Sequence, residues 1–145
     1  MKTAVLINTI ETSLTQIGVR NDGVIEIRFK VDKYEVNLKD QSEIHDAFIK
    51  LTDNGFTPYH ILVIPGKYGG VTKEAREMEM FESHSLKNQL SLSIVVNNTS
   101  QRLLGSIYIA LQKKKPTFPC KLFKTEELAM KWILDIKKQK SSLLA

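Results

Sequence analysis

Few residues in this 145-residue chain have types and spacing that could do chemistry. The segment best suited to hold a ligand is Lys67-Tyr68-Gly69-Gly70, with Thr72 and Lys73 after it. It lies between an apolar run and a helical stretch, where an α/β protein cradles an anion on free backbone amides. Lys67, Gly69, Gly70, Thr72 and Lys73 are therefore the candidate binding residues. The segment is not a Walker sequence, which needs Gly-x-x-x-x-Gly-Lys-Ser/Thr, and Gly-x-Gly-x-x-Gly is absent. A plain strand-to-helix connection is the competing interpretation. Thr72 most simply caps the helix that follows, with a regulatory hydroxyl as the alternative.

Other reactive groups do not assemble. Lys73, Glu74, Arg76, Glu77, Glu79 and Glu82 are spread around one helix. Acid–base work needs carboxylates whose surroundings separate their pKa values. His45, His60 and His84 are far apart and match no metal-ligand spacing. Cys120, the single cysteine, reads as a small core residue and cannot close an intrachain disulfide. No Ser stands in Gly-x-Ser-x-Gly. The expectation is a protein without catalytic residues, metal site or cofactor.

At 42% hydrophobic and 26% charged residues, the composition is that of one globular domain and excludes wholesale disorder. Ala4 to Ile7 is too short an apolar run for a signal-peptide core, and no stretch approaches the ~18 apolar residues that span a bilayer. A soluble, reduced, cytoplasmic protein is expected. The net charge of +5 is localised: residues 1–112 carry −1 and residues 113–145 carry +6. The surplus sits on Lys113, Lys114, Lys115, Lys121, Lys124, Lys131, Lys137, Lys138 and Lys140. Base recognition favours Arg forks and aromatic stacking, and neither accompanies these lysines. A solvated basic face is expected, with no specific nucleic acid as partner.

The elements that must position these groups follow from periodicity. Gln16 to Val19 and Val24 to Phe29 alternate as strands around Asn21-Asp22-Gly23, whose Asp-Gly pair suits a tight hairpin turn. Tyr34, Val36 and Leu38 extend the sheet or form a third short strand. Asp40 is the expected N-cap of a helix, with Glu43 reaching back and Ile44, Ala47, Phe48 and Leu51 on its buried face. Asn54-Gly55 supplies its end. The unbroken run Ile61 to Ile64 reads as a central parallel strand, stopped at Pro65-Gly66. A second helix places Ala75, Met78 and Phe81 together. Leu90 to Val96 and Cys120 to Phe123 are further strands. A last helix from Thr125 buries Leu128, Ala129, Trp132, Ile133 and Ile136. The last residues, 141–145, are expected to fray.

A helix over residues 99–112 stands out. Leu103, Ile107, Ala110 and Leu111 cover one side with Leu104, while Tyr108 and Ile109 fall toward the other. A helix that is apolar on nearly all faces must bury its second side. Leu104, Tyr108 and Ile109 are thus the candidate interface of a homodimer. A lipid-like ligand, a membrane surface or plain exposure are the alternatives.

Taken together, this order resembles the STAS domain, the fold of the bacterial SpoIIAA-type anti-sigma-factor antagonists. It is most similar to the small stand-alone bacterial proteins described as SpoIIAA-like or STAS/Sec14-like. The resemblance is carried by Val71-Thr72-Lys73-Glu74-Ala75-Arg76-Glu77, Ser100-Gln101-Arg102-Leu103-Leu104-Gly105, Pro116-Thr117-Phe118-Pro119-Cys120-Lys121-Leu122-Phe123 and Glu126-Glu127-Leu128-Ala129 to Trp132. It spans about residues 14 to 137. It implies one α/β domain over residues 1–145, with a mixed, mainly parallel sheet, an N-terminal β-hairpin and about four helices. In the antagonists an Asp-Ser-Ser-Gly stretch carries the phosphorylated Ser. Here Thr72 stands at the Asp and Lys73 at that Ser, so the switch hydroxyl is displaced. The resulting expectation is a non-catalytic regulatory or protein-interaction module that pairs with itself or with another protein. The alternative is a carrier or sensor of a small apolar or anionic ligand.

Overall fold

The computed structural model describes residues 6–54, 56–77, 88–96 and 118–144. Its main sheet has six strands: β1 Leu6–Glu11, β2 Thr15–Arg20, β3 Val24–Phe29, β5 Tyr59–Ile64, β7 Gln89–Val95 and β8 Cys120–Phe123, side by side in that order. β1, β2 and β3 are antiparallel neighbours, whereas β3, β5, β7 and β8 run parallel. The expected hairpin is β2–β3, turned at Gly23 with φ 85°, a left-handed conformation that glycine adopts at little cost. Periodicity does not reveal β1. Its residues are mostly exposed and carry a bulge between Leu6 and Asn8, which blurs alternation.

β5 holds the centre, as its unbroken apolar run implies. Successive side chains serve opposite faces. Ile61 joins Ile17, Ile25, Ile27, Leu92 and Ile94 in a core beneath helix α1, Leu38–Leu51. Leu62 joins Val24, Val95, Ala129 and Ile133 beneath helix α3, Glu126–Leu144. The two faces of β5 are thus both closed, which is why its sequence does not alternate.

Several expectations are corrected. Tyr34 does begin a further pairing, but β4 Lys33–Val36 lies in a separate two-stranded parallel sheet with β6 Tyr68–Val71. The glycine-rich segment is therefore partly strand rather than open loop. The cap of α1 is Asn37, three residues before the expected Asp40. Asn37 accepts from the Asp40 amide at 2.9 Å, and the Asp40 carboxylate accepts from the Asn37 amide at 3.0 Å. Leu38, read as strand, is the first residue of that helix. Glu43 is thereby released to receive the Ser13 amide and hydroxyl, at 3.1 and 3.2 Å. Ala47 and Phe48 are buried as expected, with Ile44 and Leu51 packed beside them.

Helix α2 covers Lys73–Glu77. On α3, Ala129 and Ile133 are fully buried, whereas Leu128 is 51% exposed, one position off the stripe facing the sheet. The backbone of α3 is helical through Leu144. Three helices are present among the described residues. The expected helix over 99–112, with Leu104, Tyr108 and Ile109, lies outside them, as do Met78 and Phe81.

Candidate functional site

Ligands of α/β sheets gather beyond the carboxyl ends of parallel strands. Here those ends are Phe29 of β3, Ile64 of β5, Val95 of β7 and Phe123 of β8, and β4 and β6 follow from the first two. β4 puts Tyr34 and Val36 inward, both nearly buried, by simple strand alternation. The Tyr34 ring stacks on Phe29 with centroids 4.4 Å apart and planes 10° from parallel. Its hydroxyl accepts the Gly66 amide proton at 3.2 Å. A Cβ on Gly69 would run into that hydroxyl, and one on Gly66 would lie 2.8 Å from the ring. Both glycines are thus required by the close approach of an aromatic ring. Burial pushes the Tyr34 hydroxyl up to about 12, partly offset by the Gly66 amide. It therefore stays neutral at physiological pH.

The five expected binding residues do not converge on an open cradle. Gly69 and Gly70 are buried in β6, in register with Tyr34 and Glu35 of β4. Thr72 does cap α2, its hydroxyl accepting from the Ala75 amide at 3.3 Å, while its own amide donates to the Val36 carbonyl. Lys67 is exposed, its ammonium 5.6 Å from the centre of the Tyr68 ring. Lys73 is exposed at the other end of β6. Tyr68 of β6 is 57% exposed and Val31, just before β4, is 45% exposed.

Sequence reasoning misses a buried pair. His60 of β5 and Ser91 of β7 are register partners, with Nδ1 and Oγ 2.6 Å apart. Such a contact suits a base and a nucleophile. Both residues are sealed between strands, however, at 2% and 0% exposure. The signal that could have found them is their shared place near the start of neighbouring strands.

The α3 side of the sheet also carries an ion network. Glu26, nearly buried, lies 3.6 Å from Arg20 and 3.4 Å from Arg28. Arg20 also reaches Asp22 at 3.3 Å, and Arg28 reaches Glu126 at 3.1 Å. Lys137 donates to the Asp22 carbonyl, so it ties α3 to the hairpin and leaves the expected solvated face. Lys121, Lys124, Lys131 and Lys138 do face solvent. Among the described residues no cluster of His, Cys, Asp and Glu is placed to hold a metal ion, and no helix is long and apolar enough to cross a membrane.

With this geometry fixed, residues 18–137 match the family described as "Domain of unknown function (DUF7793)". The chain belongs to that family. No curated protein and no solved structure matches it. The DUF7793 match takes in the Tyr34 clamp, the His60–Ser91 pair and the ion network. It leaves out β1 and the end of α3.

Proposed function

We propose that this DUF7793 chain is a non-catalytic, STAS-like interaction module that works as a homodimer or against another protein. The observation that carries it is the packing beyond the ends of β3 and β5, where Tyr34 stacks on Phe29 and lies close against Gly66 and Gly69. The sealed position of the His60–Ser91 pair supports the same reading. So does the architecture, an antiparallel hairpin leading into parallel strands with helices on both faces. The carrier alternative draws no support from the Lys67 to Thr72 segment, whose glycines are closed against β4.

Light scattering coupled to size exclusion, at low and at moderate salt, tests the proposal. A particle of twice the 16.5 kDa chain mass at both salts is the expected result. Loss of that mass in the Tyr108→Lys, Ile109→Lys double variant assigns the interface to residues 99–112. A monomer under both conditions removes the homodimer. A small molecule retained in native mass spectrometry would overturn the module in favour of the carrier.

A further inference from the structure

β1 is an edge strand, and among the described residues its one strand neighbour is β2. An edge offers unpaired backbone groups to another strand, so proteins commonly blunt it with Lys, Pro or an irregular backbone. β1, Leu-Ile-Asn-Thr-Ile-Glu, has neither Lys nor Pro. Its single charged residue, Glu11, is already held by the Lys30 ammonium at 2.8 Å. The bulge between Leu6 and Asn8 breaks the strand at one end. At the other end Thr12 leads into Ser13, whose amide and hydroxyl are fixed by Glu43. A regular stretch from Asn8 to Thr12 is left, and its centre is Ile10.

Hydrogen bonds at the top of the sheet fix which of these residues face outward. The Lys30 amide donates to the Leu14 carbonyl and the Thr12 amide to the Thr15 carbonyl, both at 2.8 Å. A strand between two antiparallel neighbours turns its backbone groups to each in alternation. Leu14, Gln16 and Gly18 therefore bond β3, while Thr15, Ile17 and Val19 bond β1. Opposite Ile17 and Val19 stand Ile10 and Asn8. Those two turn inward, and Thr9 and Glu11 present their amides and carbonyls to the outside. From this phase we infer that β1 pairs antiparallel with β1 of a second copy of this chain, about a two-fold axis through Ile10. Thr9 then exchanges backbone bonds with the partner's Glu11, and Glu11 with the partner's Thr9. An axis at Glu11 would set like charges opposite each other. One at Thr9 would run Glu11 into the partner's bulge. The axis at Ile10 keeps the pairing within the regular stretch of both chains and makes it self-complementary. Ile10 is half-buried against the α1-side core. Here it meets its own copy, so the two cores become continuous. The surface is separate from residues 99–112, and the two interfaces can fail separately.

Two readouts on the full chain test the pairing. Light scattering is run over a range of loading concentrations, because a short strand pairing buries less than a standard interface. Thr9→Pro removes an outward amide and spares the ladder with β2. It should halve the wild-type mass and leave the circular dichroism spectrum unchanged. In a Cys120→Ala background, Ile10→Cys should give a disulfide-linked species of twice 16.5 kDa on mild oxidation. The Cα atoms of such a facing, non-bonded pair are about 4.5 Å apart, within reach of a disulfide. Asn8→Cys should give none. The Ile10→Cys cross-link should persist in the Tyr108→Lys, Ile109→Lys variant, which reports on residues 99–112 alone. A monomer at every concentration overturns the pairing. So does a wild-type mass retained by Thr9→Pro, or a cross-link at Asn8→Cys in place of Ile10→Cys.

Discussion

The Tyr34 hydroxyl occupies the space that a Cβ on Gly69 would enter, so the aromatic ring and the absent side chain are two halves of one fit. Gly69 is in register with Tyr34 across β4 and β6, and its partner is a stacked ring with little freedom to retreat. Gly69→Ala should therefore overpack the contact and cost about 1–3 kcal/mol. Urea denaturation would measure it. In a Tyr34→Leu background the same change should cost much less, because the colliding atoms are gone. An equal cost in both backgrounds would place the role of Gly69 elsewhere.

Alkaline pH should destabilise the fold in two steps. Burial raises the Cys120 thiol from 9.0 to about 11 and the Tyr34 hydroxyl from 10.0 to about 12. Burial raises Tyr59 as well. Above pH 9.0 the unfolded chain gives up the Cys120 proton while the folded chain keeps it. The folded state then binds more protons, so stability is full below the unfolded values and falls as pH rises toward the folded ones. Urea midpoints should drop between about pH 9 and about pH 12. Cys120→Ala should remove the early part of the drop and Tyr34→Phe the later part. A flat profile over this window would contradict both assignments.

How much of this is legible beforehand depends on whether a signal is local. The β2–β3 hairpin, the central β5, the buried face of α1 and the Thr72 cap follow from periodicity and turn chemistry within a few residues. The β4–β6 pairing does not, because the residues that make it are separated by α1 and β5. Gly69 reads as freedom for a ligand, yet it is space for Tyr34, which only the tertiary fold supplies. The α1 cap differs by three residues because Asn37–Asp40 and Asp40–Glu43 are equally good boxes in sequence. Only the end of β4 at Val36 decides between them. His60 and Ser91 look scattered for the same reason, since a parallel register is set over a long crossover.

Ser91→Ala should be costlier than a surface Ser→Ala. The hydroxyl faces His60 Nδ1 at 2.6 Å with both residues buried. Deleting it removes a polar contact that water cannot replace. A loss of about 1–3 kcal/mol is expected in urea denaturation. Ser13→Ala, which removes an exposed hydroxyl bond to Glu43, should cost less than half as much. Equal losses would mean that burial is not what gives the His60–Ser91 contact its weight.

The ion network should be strongly uneven along its length. Glu26 and Arg20 are at 9% and 11% side-chain exposure, while Arg28 and Glu126 are at 43% and 44%. Removing one member of a buried pair strands the other without water, whereas an exposed pair is screened. Glu26→Gln should cost about 3 kcal/mol, at the low end for a buried pair because Asp22 still holds Arg20. Glu126→Gln should cost only about 0–1 kcal/mol. Salt separates the two as well. Added sodium chloride should shrink the Glu126→Gln difference and leave the Glu26→Gln difference largely intact, because screening acts on exposed charges. If both differences vanish together in salt, Glu26 is solvated and the network is a surface feature rather than part of the seam between β2, β3 and α3.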